Sequence, residues 1–581
     1  MPGSPSETYD LAVLGAGPAG LAGAVTAAEL GLRVALLDAA GQPGGQFYRH
    51  PSPATGATRP EALHHDWSTF AGLRARLAVS GVTLLFGHHV WTVTREAADG
   101  PAPPGAPLPP QWAVHALTGE DPDHPSAGEE PGSGREPVIV RARTVLLATG
   151  SYERHLPFPG WTLPGVVGAG GAQAMLKSGL ALPGRRVVVA GSGPLLLAVA
   201  ASLTAAGARV PEVVEASGYL GYARRPGALA ANPHKLAEAV HHGTALLRHR
   251  VRLRTRTAVT RAHGTDRVEA VTVTRLDRDW RPIPGTARRI ACDALAVGHG
   301  LVPQIDLATA LGCATRRAPD GTHALELSPL QETSLRGFWA AGETSGIGGA
   351  QLAITEGTLA AHAIVSRLTG APRAPLSRLR ALRRRRDRGR VFAETMTAAH
   401  APGPGWTRWL PDDTDVCRCE EVPAGRVREA VADFGARDAR TVKLLTRAGM
   451  GWCQGHMCGT AVACLAAPPT GTPATSETTA PSATPATPDT PAPPTTTPPD
   501  RRPLAAPVPL GVLARLPEPR PTPQDQPPAQ APPATSSPPP MTSTTPNTPD
   551  APTHPPKRTP RTEPDHPTGH PADDPTEGHP S

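Results

Sequence analysis

The chain has 581 residues, more than a single hydrophobic core usually supports, so two or more domains are expected. Residues 1 to about 466 carry nearly all of the apolar and aromatic residues, whereas the remainder is rich in Pro, Thr, Ala and Ser and holds half of the 72 prolines. The formal net charge of +7 does not indicate a nucleic-acid partner, because much of the excess lies in the Arg-rich stretch 378–390, which has no interleaved aromatic residues to stack on bases.

The beginning of the chain shows no targeting signal. Its first ten residues, MPGSPSETYD, lack the basic residues of a signal peptide, and the apolar run after them is short and broken by glycine. Seven cysteines in a chain of this length do not form a secreted disulfide framework. We therefore expect a cytoplasmic, reducing location.

The first predicted unit is a parallel βαβ unit over residues 10–38. Its turn, GAGPAG at residues 15–20, has a first glycine for the tight turn, a second for close approach to a pyrophosphate, and a third for close packing of helix and strand. Asp38 ends the second strand, where it could accept hydrogen bonds from a ribose. The unit predicts a nucleotide site formed by Gly15, Gly17, Pro18, Ala19, Gly20 and Asp38.

A long connection follows among the strand-like pieces after this unit. The segment Ala97–Pro137 is rich in Pro, Gly and acidic residues. Its length counts against an ordered element within it. We predict a disordered surface loop over residues 97–137.

A second dinucleotide-type unit is predicted over residues 186–215, with Gly191 and Gly193 in its turn. Leu196 takes the position of the third glycine, and a side chain there pushes the helix away from the strand. Glu215 suits a ribose 2′-hydroxyl better than a 2′-phosphate, so a nicotinamide cofactor bound here would be NAD. Two interpretations stay open: an NAD site formed by Gly191, Gly193 and Glu215, or a duplicated fold retained as scaffold. The uncharged run 187–208 is long enough to suggest a membrane span, but GSGP interrupts it, so we predict strand, turn and helix instead.

Two further stretches favour flavin over nicotinamide in the first unit. Thr149 and Gly150 close one strand, and residues 337–356 form another strand that ends near Glu343. Glu343 could bind the ribityl chain, and a helix opened by Gly348, Gly349 and Ala350 would point its amides at the pyrimidine edge of the flavin. The alternative is a plain strand-to-helix turn whose small residues serve packing.

Four cysteines near the end of the ordered part are spaced C-x-C, thirty-three residues, then C-x4-C. Thiolates favour soft metals, so iron–sulfur and zinc compete, but zinc ribbons usually pair C-x-x-C with C-x-x-C. The spacing favours a [2Fe-2S] cluster on Cys417, Cys419, Cys453 and Cys458, with two short helices, 424–434 and 439–447, between the pairs. The remaining three cysteines, which lie in apolar surroundings, are predicted core thiols: Cys292, Cys313 and Cys464.

A family resemblance covers residues 8 to about 466. The chain resembles the two-dinucleotide-binding-domain flavoproteins, and in detail the FAD-containing alpha subunits of opine oxidase, proline or hydroxyproline dehydrogenase and hydrogen cyanide synthase. The matching pieces are GAGPAG, PGGQFYR, LLATGSYERHLPFPGWTLPGV, GSGPLLL, CRCEEV and RAGMGWCQGHMC. The cysteine segment resembles the bacterioferritin-associated ferredoxin (BFD) type of domain, with His456 where that variant has an arginine.

The resemblance implies cofactors, further site residues and partners. FAD would lie in the first unit, with Gly45 and Gln46 near the isoalloxazine and the backbone around Val90 near adenine. The implied partners are a catalytic flavoprotein beta subunit, which oxidises an amine or amino acid, and a small ferredoxin-like subunit. Neither a nucleic acid nor a membrane span is implied.

These features predict an α/β fold with two Rossmann-like dinucleotide-binding domains of the pyridine nucleotide-disulfide oxidoreductase type. The predicted divisions are an FAD-binding domain (8–155 and 290–370), a second Rossmann-like domain (156–289), a basic helical linker (371–412), a BFD-like [2Fe-2S] domain (413–466) and a disordered Pro/Thr-rich tail (467–581). The basic linker is predicted either as a solvated helix or as a docking face for an acidic partner.

Three functions fit this organisation. The first is an FAD-dependent oxidoreductase subunit that relays electrons between flavin and the cluster in a multi-subunit amine or amino-acid dehydrogenase. No general base, acid pair or substrate clamp accompanies the flavin segments, so substrate chemistry is expected on another subunit, and no catalytic residue is assigned. The alternatives are an NADH-dependent FAD/[2Fe-2S] reductase and a non-catalytic protein that binds a redox partner.

Overall fold

Short runs of Val, Leu and Ala form the parallel strands of two sheets, and glycine turns follow several of these strands. The computed structural model describes residues 8–64, 66–96, 111–118, 136–467 and 504–514. All of them lie in the larger of two parts of the chain, Met1–Glu518, and the smaller part, Pro519–Ser581, is outside the described residues.

The strands in chain order are β1 (Thr8–Leu14), β2 (Val34–Asp38), β3 (Thr83–Phe86), β4 (His89–Arg95), β5 (Trp112–Thr118), β6 (Glu136–Leu147), β7 (Ser151–Glu153), β8 (Val166–Gly168), β9 (Val187–Gly191), β10 (Glu212–Glu215), β11 (Arg252–Arg254), β12 (Thr257–His263), β13 (Ala270–Arg275), β14 (Arg288–Ala291), β15 (Ala294–Gly298), β16 (Leu301–Pro303), β17 (Thr315–Arg317), β18 (His323–Leu325), β19 (Phe338–Ala340), β20 (Asp415–Cys417) and β21 (Val422–Pro423).

The α-helices are α1 (Pro18–Glu29), α2 (Trp67–Val79), α3 (Ala169–Gly179), α4 (Leu195–Ala205), α5 (Pro226–Ala230), α6 (Pro233–Arg248), α7 (Asp306–Ala310), α8 (Ala350–Thr369), α9 (Leu376–Ala399), α10 (Ala424–Ala432), α11 (Ala439–Thr446), α12 (Gly459–Ala466) and α13 (Leu510–Leu513). Short 3₁₀ helices cover Pro53–Thr55, Pro60–Leu63, Tyr219–Arg224, Gly342–Ser345 and Pro404–Trp409.

The first sheet has the order β3-β2-β1-β6-β5-β4, with β19 also paired to β6. Its parallel strands β1, β2, β6 and β19 are buried on both faces, which their near-continuous apolar sequences require. α1 and α8 cross closely beneath the sheet, since a Cβ at Gly357 would lie 2.0 Å from the Ala19 carbonyl oxygen. The predicted βαβ unit and the predicted helix after Gly349 are confirmed.

One predicted loop is wrong in its middle. Residues 112–118, which lie within the loop predicted over 97–137, form β5 and pair antiparallel with both β4 and β6. Its apolar residues are buried almost continuously, and the surrounding Pro and Gly residues concealed this short apolar run. Glu136 and Pro137, the last residues of the predicted loop, begin β6, and residues 97–110 and 119–135 lie outside the described residues.

The second sheet is fully parallel, in the order β11-β10-β9-β15-β8, and a three-stranded antiparallel sheet, β12-β13-β14, packs beside it. The predicted division at residue 289 needs correction: β15 pairs with β9 and β8, so the second unit continues to Gly298. The run predicted as strand, turn and helix forms β9 and α4, as expected.

The cysteine-bearing region, residues 404–466, shares a hydrophobic core with the second unit. Trp280 of the second unit stacks on Trp409 at 6.3 Å between ring centroids, and Trp161 donates to the Asp415 carbonyl at 2.7 Å. Buried residues of both regions, including Val416, join this core. α10 and α11 lie within two residues of their predicted limits. The region is therefore anchored to the rest of the chain.

A short part of the predicted tail is ordered. Residues 504–514 lie on the edge strand β4, where the Ala505 amide donates to the Trp91 carbonyl at 2.9 Å. Val512, which is 1% exposed, packs between Trp91 and Leu117. This apolar segment covers a sheet edge that would otherwise be open, which corrects the prediction of disorder for these residues.

We expect Val512→Asp to release this segment from β4. A charge cannot remain between the two apolar side chains, and about 1.5–3 kcal/mol of valine burial is lost. Hydrogen–deuterium exchange of peptides over 89–95 and 504–514 should then be faster. Leu510→Asp is the matched control, because Leu510 lies in the same short helix but is 82% exposed. Equal protection in both variants would contradict the docking.

Among the described residues, none of the helices combines the length and the apolar character needed to cross a membrane.

Candidate functional site

The three segments predicted to hold flavin meet at one edge of the first sheet. β1, β6 and β19 are adjacent parallel strands, and the glycine turn 15–20, residues 148–150 and residues 341–350 follow their carboxyl ends directly. Ligands of open α/β sheets bind at this edge. Segments more than three hundred residues apart are therefore neighbours.

The glycine turn has the geometry of a phosphate cradle. A Cβ at Gly15 (φ +107°) would lie 2.4 Å from the Ala148 carbonyl oxygen, and a Cβ at Gly20 would lie 1.8 Å from the Gly15 carbonyl oxygen. Gly17, in contrast, faces open space, with Gly45 Cα the nearest atom at 4.0 Å. α1 begins at Pro18 with no side-chain cap and no acidic residue in its first turn. The turn can therefore receive a pyrophosphate on free amides.

Asp38 lies beside this turn at the end of β2. Its carboxylate accepts hydrogen bonds from the amides of Ala16 at 2.5 Å and Ala40 at 2.8 Å. Burial raises the pKa of Asp38, while the two amides act in the opposite direction. The residue as a whole is only partly buried.

The segment 43–49 folds back onto the glycine turn. The Gly44 amide donates to the Ala16 carbonyl at 2.9 Å, and a Cβ at Gly45 (φ +58°) would lie 2.8 Å from Gly17 Cα. Gln46 follows in an exposed position. Val90 lies on β4, two residues after His88, whose amide donates to the Asp38 carbonyl at 2.9 Å.

Thr149 and Gly150 are tied to a later segment of the chain. The Thr149 hydroxyl donates to the Gln304 carbonyl at 2.7 Å, and the Gln304 amide donates to the Gly150 carbonyl at 3.0 Å. A Cβ at Gly150 would meet nothing within 4 Å, so this strand end faces open space.

Glu343 holds the turn that begins α8. Its carboxylate accepts the amides of Gly348 at 2.7 Å and Gly349 at 3.0 Å, and burial raises its pKa. The sequence analysis predicted that these two amides point at the flavin. In the structure they donate to Glu343 instead. Helix α8 starts at Ala350, as expected.

An arginine of the basic helix is built into the same turn. Arg390 donates to Glu356, to the Ser345 hydroxyl at 2.6 Å and to the Gly346 carbonyl at 2.6 Å. Glu356 also accepts the Gly342 amide at 2.9 Å. The sequence analysis missed this network, because a single arginine within an Arg-rich run carries no signal of burial.

The predicted NAD site of the second unit is covered by the residue that follows helix α9. Glu215, fully buried, accepts the amides of Gly193 at 3.0 Å and Ser217 at 2.9 Å, and His400 Nδ1 lies 3.5 Å from its carboxylate. Ser192 donates to the His400 carbonyl at 2.9 Å. The end of α9 thus covers the acid that a ribose would need.

Helix packing in this unit also differs from that in the first. α4 begins four residues after Gly191, whereas α1 begins three residues after Gly15. Leu196, at the position of the third glycine, is 1% exposed. Gly191 (φ +136°) still packs as a turn glycine, with a Cβ position 1.7 Å from the Gly298 carbonyl oxygen.

A cavity of about 1040 Å³ joins the two units. Its lining includes Gly193 and His400 from one side and Phe47 and Glu343 from the other. Lys177 also lines it, bonded to the Phe47 carbonyl at 3.3 Å, and burial lowers the pKa of Lys177 to about 8. The sequence analysis missed Lys177, although it is the one charged residue between His155 and Arg185.

The four predicted ligand cysteines form two pairs, Cys417 with Cys458 and Cys419 with Cys453. The Cys458 thiol donates to Cys417, and the amides of Gly449, Glu420 and Cys419 point at the same sulfur, which lowers the pKa of Cys417 to about 5. The Gly449 amide lies 3.5 Å from that sulfur. The pairing and burial together raise the pKa of Cys458. Amide donors that stabilise a thiolate suit a metal ligand.

Cys419 and Cys453 form a second pair. Cys419 accepts the backbone amide of Cys453, while burial and the Cys453 thiol raise the pKa of Cys419. Cys419 is exposed, and Trp452 beside Cys453 is 75% exposed. No three or more His, Cys, Asp or Glu side chains of the described ranges converge as around a single metal ion. Two pairs of thiols fit a two-iron cluster, which takes two ligands on each iron.

The other three cysteines lie apart from these pairs. Cys292 and Cys313 are buried, as predicted, and Cys464 is partly exposed but packs against the shared core. Burial raises the pKa of all three thiols.

Comparison with known proteins agrees with this geometry. Residues 9–357 match the family "Pyridine nucleotide-disulphide oxidoreductase", and residues 416–467 match "BFD-like [2Fe-2S] binding domain". Hydrogen cyanide synthase subunit HcnB of Pseudomonas protegens is 32% identical over 458 residues, which cover 77% of this chain and 89% of that protein. One subunit of the opine oxidase from Agrobacterium tumefaciens is 33% identical over 470 residues, 79% of this chain and 85% of that protein.

A solved structure shares the fold. L-proline dehydrogenase from P. horikoshii aligns with a TM-score of 0.51 and 19% identity, over 79% of this chain and 74% of that chain.

Proposed function

Because the chain belongs to the pyridine nucleotide-disulphide oxidoreductase family, and is an FAD-dependent oxidoreductase with a BFD-like [2Fe-2S] domain, we propose that it is the electron-relay subunit of a multi-subunit amine or amino-acid dehydrogenase. One observation carries the proposal. The cysteine loop packs directly on the strand that follows the flavin segment, where the His456 and Tyr152 rings lie 4.5 Å apart. A two-electron and a one-electron cofactor would thus be neighbours in one chain.

The residues of the first unit would bind and orient FAD. The glycine turn would receive the pyrophosphate, Asp38 would accept from a ribose, and Gly45, Gln46 and Val90 would contact the ring systems as the resemblance implies. Cys417, Cys419, Cys453 and Cys458 would bind the cluster. FAD supplies two-electron exchange with a donor, and the cluster supplies one-electron exchange with an acceptor.

The donor in this proposal is a partner subunit. The relatives of this chain are subunits of opine oxidase and hydrogen cyanide synthase, and the described flavin segments still provide no acid–base pair beside an open substrate position. We infer a catalytic flavoprotein beta subunit that oxidises the amine, together with a small ferredoxin-like subunit. Lys177 in the joining cavity does not supply the missing base. Its pKa of about 8 keeps it mostly protonated at neutral pH, and it already donates to the Phe47 carbonyl.

The NADH-dependent reductase is the competing function. It needs a ribose on Glu215, and His400 stands between that carboxylate and the cavity. NAD would therefore have to displace the end of α9. The non-catalytic interpretation is set aside because the chain is an oxidoreductase.

The test uses the full chain purified alone and with the products of its neighbouring genes. We expect flavin extraction and electron paramagnetic resonance to find both cofactors in the isolated chain. Anaerobically, neither NADH nor L-proline, glycine or an opine should bleach its flavin band, whereas one of these amines should reduce dye through the assembled complex. Amine-dependent dye reduction by the isolated chain would contradict the subunit role, and rapid bleaching by NADH would establish the alternative.

A further inference from the structure

One residue of the cysteine loop connects the two predicted cofactor sites. His456 lies between Cys453 and Cys458, at the position where the resemblance places an arginine. Its Nδ1 bonds to the Cys453 carbonyl at 2.7 Å, and its Nε2 bonds to the Asp306 carboxylate at 3.1 Å. The ring also meets Tyr152 edge-on at 79°. His456 therefore touches the cluster loop and the flavin-binding domain at once.

The partners on the flavin side belong to the segment that holds Thr149 and Gly150. Asp306 begins α7, two residues after Gln304, which exchanges hydrogen bonds with both of those residues. Tyr152 lies on β7, which follows Gly150 and pairs with β16. The strand end at Gly150 is thus linked to the loop that carries Cys453 through Gln304, Asp306 and Tyr152.

We propose that His456 is a positioning residue, which sets the distance and orientation of the cysteine loop relative to the flavin segment 148–150 through its bond to Asp306. The proposal rests on the relay function above. Through one ring, His456 thereby joins a backbone carbonyl of the cysteine loop to a carboxylate of the flavin-binding domain. An arginine, which the resemblance places at this position, could donate to the same two acceptors.

Burial supports a lasting contact. The side chains of His456 and Asp306 are 25% and 14% exposed, so the pair is shielded from most of the solvent. The core shared with the second unit anchors the rest of the cysteine region from another side. What His456 adds is a direct link from the loop to the flavin-binding domain.

The experiment uses the full chain with flavin and cluster bound. The flavin is reduced by light without oxygen, and the appearance of the reduced cluster is followed by its absorption. We expect His456→Phe, which keeps the ring against Tyr152 but loses both hydrogen bonds, to slow this transfer by about 10- to 100-fold, the usual effect of removing a support of a metal ligand. The resonance spectrum of the cluster and the flavin content should be unchanged.

Two further variants separate positioning from folding. His456→Arg should restore most of the rate, because arginine can donate to both acceptors. Asp306→Asn keeps an acceptor without the charge and should cost less than His456→Phe. An unchanged transfer rate in His456→Phe, or a loss that His456→Arg does not reverse, would overturn the proposal. If the unaltered chain fails to pass electrons from flavin to cluster, the relay function itself is wrong.

Discussion

Replacing Cys458 by serine is expected to abolish the iron–sulfur cluster and leave the flavin bound. Cys458 is buried and paired with Cys417, on whose thiolate three backbone amides converge. A serine oxygen is hard and protonated at neutral pH, so it is a much poorer ligand for cluster iron than a thiolate. The resonance signal of the reduced protein and the two irons per chain should disappear, while the FAD content stays at one per chain.

Controls make this prediction specific. Cys464→Ser changes a thiol of the same region that lies outside the two cysteine pairs, in α12, and should retain the cluster. Cys419→Ser alters an exposed ligand, so its effect on the cluster does not depend on core packing. Because metal binding and folding are coupled, and this region shares a core with the second unit, we also expect a lower Tm for Cys458→Ser. Normal iron content in both ligand variants would contradict the assignment.

Gly20→Ala is expected to remove FAD. The new Cβ would lie 1.8 Å from the Gly15 carbonyl oxygen, a backbone atom that cannot move without opening the glycine turn. Such overpacking costs about 1–3 kcal/mol, and that strain falls on the cradle for the pyrophosphate. We expect FAD affinity to fall by roughly 10- to 100-fold, since about 1.4 kcal/mol corresponds to a factor of ten.

The matched control is Gly72→Ala in α2. Gly72 is also a helical glycine, but a Cβ there meets nothing within 4 Å. Alanine should stabilise this helix by about 0.5–1 kcal/mol. Flavin fluorescence after dialysis, with a titration of FAD into the apoprotein, measures both variants. Equal FAD retention would show that the turn does not hold the pyrophosphate.

Local sequence was sufficient to predict the first βαβ unit and the four paired cysteines. The order of strand, glycine turn, helix and acid at 10–38 is set by contacts within about thirty residues, so it predicted β1, α1, β2 and Asp38 directly. The C-x-C and C-x4-C spacing likewise identified the four thiols that form two pairs in the structure. Short-range steric and hydrogen-bond rules decide such elements, and they are legible in one sequence.

Sequence reasoning failed where long-range packing decides. β5 is a strand because β4 and β6 pair with it on either side, and residues 504–514 are ordered because Trp91 and Leu117 offer an apolar edge. β15 belongs to the second unit through its pairing with β9. None of these partners is near in sequence, so composition alone misjudged all three.

The candidate site divides in the same way. The sequence by itself determined that this chain carries a dinucleotide turn, an acid at a strand end and four cluster-type cysteines. Only the tertiary structure decided that His400 closes Glu215, that Glu343 holds its own turn, and that His456 meets Asp306. Motif residues are recognised from their spacing along the chain, whereas these contacts join segments that only packing brings together. The free energy that pairs them therefore depends on the whole fold.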